Sequence, residues 1–141
     1  MKNLVTLFLL MVFIVIPASA EETGLTLRIT IKGVDLQQGN IRVALFEKKE
    51  NFLTEKMLQG KVVKAKRGSV DVTFNNLDAK VYSVALFQDL NGNEILDKNF
   101  LGYPREPYGF SKNVYRLFGP ATFNQASFKL DKDKHLEIKL R

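Results

Sequence analysis

A run of oxygen-bearing side chains follows a strongly apolar segment in the middle of the chain. Acidic or amide side chains occupy its first, third, fifth and ninth positions: Asp89, Asn91, Asn93 and Asp97. Loops with this spacing fold around hard cations such as calcium, which takes about six to eight oxygen ligands. The carbonyl of Ile95 would supply another oxygen, and the carboxylates of Glu94 and Glu106 are further ligand candidates. The sequence therefore predicts a calcium-binding loop at residues 89–97.

The same loop has a second interpretation without a metal. Asp and Asn side chains in tight loops also accept hydrogen bonds from their own backbone, as in Asx-turns, and Lys98 or Arg105 could neutralise the carboxylates.

If the loop does bind calcium, it is not an EF-hand, because Phe100 stands at the twelfth position, where that motif has a bidentate glutamate. With so few charges, calcium would bind in the weak extracellular range, on the order of 0.1–1 mM. Both interpretations stay open at this point.

Catalytic chemistry has little support in the sequence. The chain has no cysteine and one histidine, so a Cys–His pair is excluded and any serine triad would have to use His135. That histidine alternates with Glu137 and Lys139 on the polar side of a predicted strand. One enzymatic function remains as an alternative, namely a small carbohydrate-active enzyme that uses the loop carboxylates as an acid and a base. We expect no catalytic residues and predict a non-enzymatic binding or envelope-accessory module, with a purely structural or interaction domain as a further alternative.

The amino terminus predicts export. Lys2 precedes an apolar run from Leu4 to Ile16, and Ala18-Ser19-Ala20 has the small-x-small pattern of a signal-peptidase site. The apolar run is shorter than the roughly 20 residues that span a bilayer. We therefore predict a cleaved signal peptide at residues 1–20, a periplasmic or extracellular location, and no membrane span in the mature chain. Residues 21–141 are expected to form a single domain.

Apolar and polar residues alternate with period two through most of the mature chain, which is typical of half-buried strands. Predicted strands cover residues 25–32, 41–45, 69–74, 81–87, 126–130 and 136–140, with a weaker one at 61–66. Residues 81–87 are apolar on both faces, which places this strand at the centre of a sheet. About seven strands without long intervening helices predict an all-β, antiparallel sandwich of immunoglobulin- or transthyretin-like type.

Residues 89–120 form an unusually long connection between predicted strands. It carries too many aromatic rings for a disordered linker: Phe100, Tyr103, Tyr108, Phe110, Tyr115 and Phe118. Large aromatic side chains most often close the end of a core, and we expect this segment to cap the sandwich. Exposed rings would instead provide a platform for sugars or for the apolar side chains of a partner.

The order of these features resembles a known bacterial family. Phe87-Gln88-Asp89, Asn91-Gly92-Asn93, Asp97, Leu101-Gly102-Tyr103-Pro104, Glu106, Tyr108-Gly109-Phe110-Ser111 and Gly119-Pro120 are similar to the pattern of domain of unknown function 2141. The resemblance implies a small exported β-sandwich and no established activity. The chain differs from the family pattern at two sites, because Glu94 and Pro107 stand where the family commonly has glycine.

Charge suggests acidic partners without defining a site. The formal net charge is +6, or +5 after loss of Lys2. Two basic runs contribute to this charge: Lys61, Lys64, Lys66 and Arg67, and then Lys132, Lys134, Lys139 and Arg141. We interpret them as the polar face of edge strands, where lysine discourages aggregation. An anionic envelope polymer, a carbohydrate or a protein is the expected partner, and nucleic acid is not expected for an exported chain.

Overall fold

A computed structural model describes residues 24–141, so the predicted signal peptide lies outside the described residues. Eight strands form the domain: β1 Leu25–Val34, β2 Asn40–Phe46, β3 Gln59–Lys64, β4 Gly68–Leu77, β5 Lys80–Asp89, β6 Tyr108–Phe110, β7 Phe128–Leu130 and β8 Lys134–Lys139. Short helical turns cover Lys49–Asn51 and Ser111–Asn113, and a short helix, α1, covers Phe123–Ala126. Within this part of the chain no helix is long and apolar enough to cross a membrane.

The strands form two sheets that face each other. One has the order β4-β1-β8, and the other has the order β3-β2-β5-β6 with β7 also paired to β5. Side chains from both sheets meet in one core, including Ile29 and Phe74 from the first and Val43, Val84 and Leu86 from the second. The all-β sandwich predicted from period-two alternation is confirmed, and the eighth strand is the short β6 inside the long connection.

β5 is central, as its apolar residues on both faces predicted. It pairs with β2 along one edge, and β6 and β7 share the other edge. Both basic runs reach edge strands, because Lys61 and Lys64 lie in β3 and Lys134 and Lys139 lie in β8. The position of these lysines fits their interpretation as edge protection.

One strand pair departs from antiparallel pairing. β8 runs parallel to β1, with Leu27 opposite Lys134, whereas the other strand pairs are antiparallel. The chain bends at residues 131–133, between β7 and β8, but these two strands lie in different sheets and do not form a hairpin. β7 stays with β5 in the larger sheet and β8 crosses to the smaller one, so the carboxyl terminus joins the two layers.

The segment before β7 is helical where a strand was predicted. Ala126 ends α1 instead of beginning a strand. Thr122 and Gln125 form a capping box at the start of α1, in which each side chain bonds the backbone of the other. This reciprocal hydrogen bonding favours a helix over the strand that the alternation predicted from Ala126 onwards.

A second, smaller apolar cluster covers the outer face of the larger sheet. Phe110, Ala121 and Ala126 are its buried members, and Phe52, Ala85, Tyr108 and Val114 pack against it. Tyr108 contacts both Phe110 and Tyr115, with ring centroids 5.8 and 6.0 Å apart. Phe110 and Tyr108 thus pack on the outer face of the larger sheet, whereas this segment was predicted to cap the end of the sandwich. Phe100 and Phe118 instead lie exposed.

Candidate binding loop

The loop between β5 and β6 begins at a buried carboxylate. Asp89 is the last residue of β5 and has no exposed surface. Arg42 on β2 lies opposite Phe87, which makes it the diagonal neighbour of Asp89 on the outer face of the sheet. The Nε of Arg42 lies 2.9 Å from Asp89 Oδ2, and its Nη2 lies 2.7 Å from Glu94 Oε1. One arginine thus binds two of the predicted loop carboxylates.

Asp89 also organises the first turn of the loop. The backbone N–H of Gly92 donates to Oδ1 at 2.7 Å, and that of Glu94 donates to Oδ2 at 3.0 Å. Burial by itself would raise the pKa of Asp89, but the hydrogen bonds from Arg42 and from these two amides outweigh it. The pKa of Asp89 therefore lies below its ordinary value, and the side chain is a carboxylate at neutral pH.

Glu106 closes the loop at its far end. It is 6% exposed, and its two carboxylate oxygens accept the backbone N–H groups of Leu90 at 2.8 Å and Asp97 at 3.1 Å. The N–H of Arg105 donates in turn to the carbonyl of Asp97 at 2.7 Å. One glutamate therefore holds together points of the chain that are 16 and 9 residues away in sequence.

The remaining predicted ligands meet on the exposed side of the loop. The Nδ2 atoms of Asn91 and Asn93 donate to the two oxygens of Asp97, at 2.6 and 3.0 Å. Their Oδ1 atoms accept the backbone N–H groups of Asn93 and Ile95, which are Asx-turn hydrogen bonds. The structure thus brings Asn91, Asn93 and Asp97 together, while Asp89 and Glu106 form separate buried contacts and the Ile95 side chain is exposed.

Glu94 and Pro107, the two positions at which the resemblance led us to expect glycine, each have a structural consequence. Glu94 adopts a left-handed backbone with φ of +69°, the conformation that glycine takes at least cost. Its contacts with Arg42 and Asp89 hold it there. Pro107 lacks an N–H, and its carbonyl accepts the N–H of Gln88 at 2.8 Å, so the proline continues the contact between β5 and the segment before β6.

Arg42 is the residue that sequence reasoning missed. Lys98 and Arg105 were the basic residues that could neutralise the loop in the interpretation without a metal, but the ion pairs of its carboxylates within residues 24–141 come from Arg42. The available signal was a single charged side chain in the otherwise apolar or amide sequence of β2. Among these described residues, no group of three or more His, Cys, Asp and Glu side chains is arranged to hold a metal ion.

A second missed feature braces the base of the loop. Gln88 is buried, and its Nε2 donates to the carbonyls of Leu36 and Gln38 at 2.7 and 2.8 Å. Gln38 donates from its own Nε2 to the carbonyl of Leu90 at 3.0 Å. The connection between β1 and β2 is therefore fixed against the start of the loop.

The far part of the loop exposes apolar side chains. Four residues, named here the apolar rim, are exposed: Ile95, Phe100, Leu101 and Tyr103. Phe100 is 95% exposed and Leu101 is 66% exposed. A rigid base of hydrogen-bonded carboxylates therefore carries large hydrophobic groups into solvent.

His135 lies away from this loop, on the exposed face of the smaller sheet. Its Nε2 lies 2.8 Å from Oγ1 of Thr30, and the same hydroxyl donates to Oδ1 of Asp71 at 2.6 Å. The hydroxyl stands between the imidazole and the carboxylate. A catalytic triad has the imidazole in the middle, where it accepts the proton of the nucleophile, so this order differs from that of a triad.

Comparison with known proteins identifies a family for this chain. The family described as "Uncharacterized protein conserved in bacteria (DUF2141)" matches residues 29–139, which include both sheets and the whole loop. No curated protein and no solved structure matches the chain. Because the match covers most of the sequence, the chain belongs to the DUF2141 family of bacterial proteins.

Proposed function

We propose that this protein is an exported, non-enzymatic binding module of the bacterial cell envelope, and that the apolar rim is its contact surface. The observation that carries the proposal is the combination of a fixed base with an exposed rim. Buried Asp89 and Glu106 bind five donors between them, and the loop they hold leaves Phe100 almost entirely in water. Large apolar groups held rigidly in solvent are typical of a surface that binds a partner.

A fixed loop favours binding because little conformational entropy remains to be lost. Ordering a flexible segment costs about 1–2 kcal/mol per residue in backbone entropy, and contacts with the partner would have to offset that cost. Here the buried carboxylates have already ordered the loop in the free protein. The predicted signal peptide at residues 1–20 would deliver the domain to the envelope, where anionic polymers, carbohydrates and proteins are available as partners.

The carboxylates support binding better than catalysis. A glycosidase needs one carboxyl group that gives up a proton and another that reaches the sugar or a water. Asp89 and Glu106 are buried, and their oxygens accept hydrogen bonds from the backbone and from Arg42. Glu94 is exposed but paired with Arg42. This use of the carboxylates supports a non-enzymatic role over the carbohydrate-active alternative.

Sedimentation with isolated cell envelopes tests the proposal. We expect the mature protein, beginning at Glu21, to sediment with an envelope fraction. Phe100→Ser/Leu101→Ser should lose most of this binding, because it removes Phe100, the most exposed apolar group of the rim, together with the adjacent Leu101. Val62→Ser is the matched control, since Val62 is an exposed apolar residue on edge strand β3. Equal binding of the rim variant and the wild type would contradict the role of the rim.

Calcium binding is a second proposal, favoured by the convergence of Asn91, Asn93 and Asp97. A cation at this place would replace the two amide hydrogen bonds to Asp97, and the Asn side chains would turn their oxygens towards it. The carbonyl of Ile95 and waters would complete the shell, while Asp89 stays with Arg42. A single carboxylate with neutral ligands implies affinity on the order of 0.1–1 mM.

Thermal unfolding tests this proposal. At about 10 mM calcium, such an affinity would stabilise the fold by roughly 1.4–2.7 kcal/mol, which raises the melting temperature by several degrees. A chelator should reverse the shift, and Asp97→Ala should abolish it. Asp131→Ala, which removes an exposed carboxylate from the turn after β7, is the control and should keep the shift. A melting temperature that is the same with calcium and with chelator would exclude the site.

A further inference from the structure

The end of the loop is a small hairpin with a distinct distribution of charge. Residues 98–105, named here the tip, read Lys98-Asn99-Phe100-Leu101-Gly102-Tyr103-Pro104-Arg105. Lys98 and Pro104 face each other in an isolated antiparallel bridge, so the tip closes on itself. A basic residue stands at each end, the apolar Phe100-Leu101 pair stands at the turn, and the tip contains no acidic residue.

Four backbone N–H groups of the tip are hydrogen-bonded within it. Oδ1 of Asn99 accepts the N–H groups of Leu101 and Tyr103 at 2.9 and 3.0 Å. The N–H of Asn99 donates to the carbonyl of Tyr103, and that of Gly102 donates to the carbonyl of Asn99, at 2.8 and 2.9 Å. Transfer of a peptide group into an apolar medium is unfavourable unless it is hydrogen-bonded. The tip can therefore enter such a medium without leaving these N–H groups unpaired.

From this geometry we propose that the tip inserts Phe100 and Leu101 into the surface of an anionic phospholipid bilayer. Lys98 and Arg105 would lie at the depth of the lipid phosphates, and Tyr103, with an apolar ring and a polar hydroxyl, would lie at the boundary. The proposal rests on the proposed function, because it names the partner of the apolar rim. The positive charges of Lys98 and Arg105 favour an anionic surface, and the tip has no acidic residue that would oppose it.

Other partners fit the tip less well. Two or three protruding side chains of roughly 150–250 Å² each offer less contact area than the roughly 800 Å² per partner of a stable protein interface. Because the N–H groups of Asn99, Leu101, Gly102 and Tyr103 bond within the tip, it also offers little open strand edge to which a peptide could add. A lipid surface needs neither a large complementary area nor a free strand edge.

Co-sedimentation with vesicles tests the proposal. We expect the mature protein to bind vesicles that contain phosphatidylglycerol, and to bind pure phosphatidylcholine vesicles much more weakly. Phe100→Ser/Leu101→Ser should lower the affinity at least about 10-fold, as expected for apolar burial. Lys98→Gln/Arg105→Gln should lower it about 5-fold per charge at low salt. Two matched controls should bind like the wild type: Leu117→Ser/Phe118→Ser, which removes another exposed apolar pair, and Lys61→Gln/Lys64→Gln, which removes two charges from β3.

A fluorescent variant gives a direct readout of insertion. The chain has no tryptophan, so Phe100→Trp introduces a single indole at the tip. Its emission should shift to the blue with anionic vesicles, whereas that of Phe118→Trp should not. Vesicle binding that the tip variants leave unchanged would overturn the proposal. If the protein sediments with cell envelopes but not with vesicles, the lipid inference fails and the proposed function stands; if it sediments with neither, both fail.

Discussion

Replacing Asp89 by asparagine is expected to lower the free energy of unfolding by about 3 kcal/mol. The amide has nearly the same shape, but its NH₂ group would face either the N–H of Gly92, in place of Oδ1, or both the Nε–H of Arg42 and the N–H of Glu94, in place of Oδ2. The negative charge that these donors bind is lost as well. Hydrogen bonds to charged groups contribute about 1.5–3 kcal/mol each, and a buried donor left unpaired costs about as much again. Urea unfolding followed by circular dichroism measures the difference.

An exposed aspartate gives the matched control for this prediction. Asp78 is ion-paired with Lys80 on the surface, and Asp78→Asn should leave the midpoint of unfolding nearly unchanged. If Asp89→Asn cost less than about 1 kcal/mol, the buried contact with Arg42 would not be what holds the loop.

The pH dependence of stability gives an independent readout of the same contact. The pKa of Asp89 in the folded state lies below its ordinary 3.8, so its contribution is present above that pH and is lost as the pH falls through the folded pKa. Wild-type stability should therefore fall below about pH 4 more steeply than that of Asp89→Asn. Parallel acid-unfolding curves for the two proteins would contradict the lowered pKa.

Gly39→Ala is expected to destabilise the domain by about 3–5 kcal/mol. Gly39 precedes β2 with φ of +67°, and a Cβ at this position would lie 1.9 Å from the carbonyl oxygen of Asp89. That oxygen belongs to the backbone, so a side-chain rotation cannot relieve the overlap. The variant would have to separate the start of β2 from the start of the binding loop, and thermal unfolding should show a large drop in melting temperature.

A second glycine provides the control for this prediction, because it has a positive φ but no steric overlap. Gly68 also has a positive φ, +98°, but a Cβ there would meet no atom within 4 Å. Gly68→Ala should therefore cost only the roughly 1–2 kcal/mol of a left-handed alanine. Equal losses for the two variants would show that the close approach at Gly39 is not the cause.

Local sequence patterns were sufficient to predict most of the strands. Alternation along β1, β2, β4 and β5 reflects which side chains face the core, and it can be read from neighbouring residues alone. The Asx-turn hydrogen bonds of Asn91 and Asn93 each span two residues, so the residue types of the loop were enough to indicate these turns. Prediction failed at Ala126, because a capping box of two side chains outweighed the alternation.

Long-range pairing was beyond the reach of these patterns. The parallel pairing of β8 with β1 joins segments about a hundred residues apart, and nothing in either strand specifies the direction of its partner. Arg42 reaches Asp89 because β2 and β5 pair in one register, and a shift of one residue would turn Arg42 to the opposite face. The burial of the aromatic residues in the long connection also depends on long-range pairing. Phe110 is buried because β6 pairs with β5, whereas Phe100 lies in the tip and is exposed.

The all-β class, the central strand, and the polar loop followed by an aromatic segment could be predicted from the sequence, because period-two burial and turn chemistry act between near neighbours. Three features of the site could be seen only in the folded chain: Arg42 neutralises the loop, Glu106 closes it, and Phe100 and Leu101 protrude from it. Each of these depends on strand register or on chain closure over many residues. Such contacts form only when the whole sandwich has assembled.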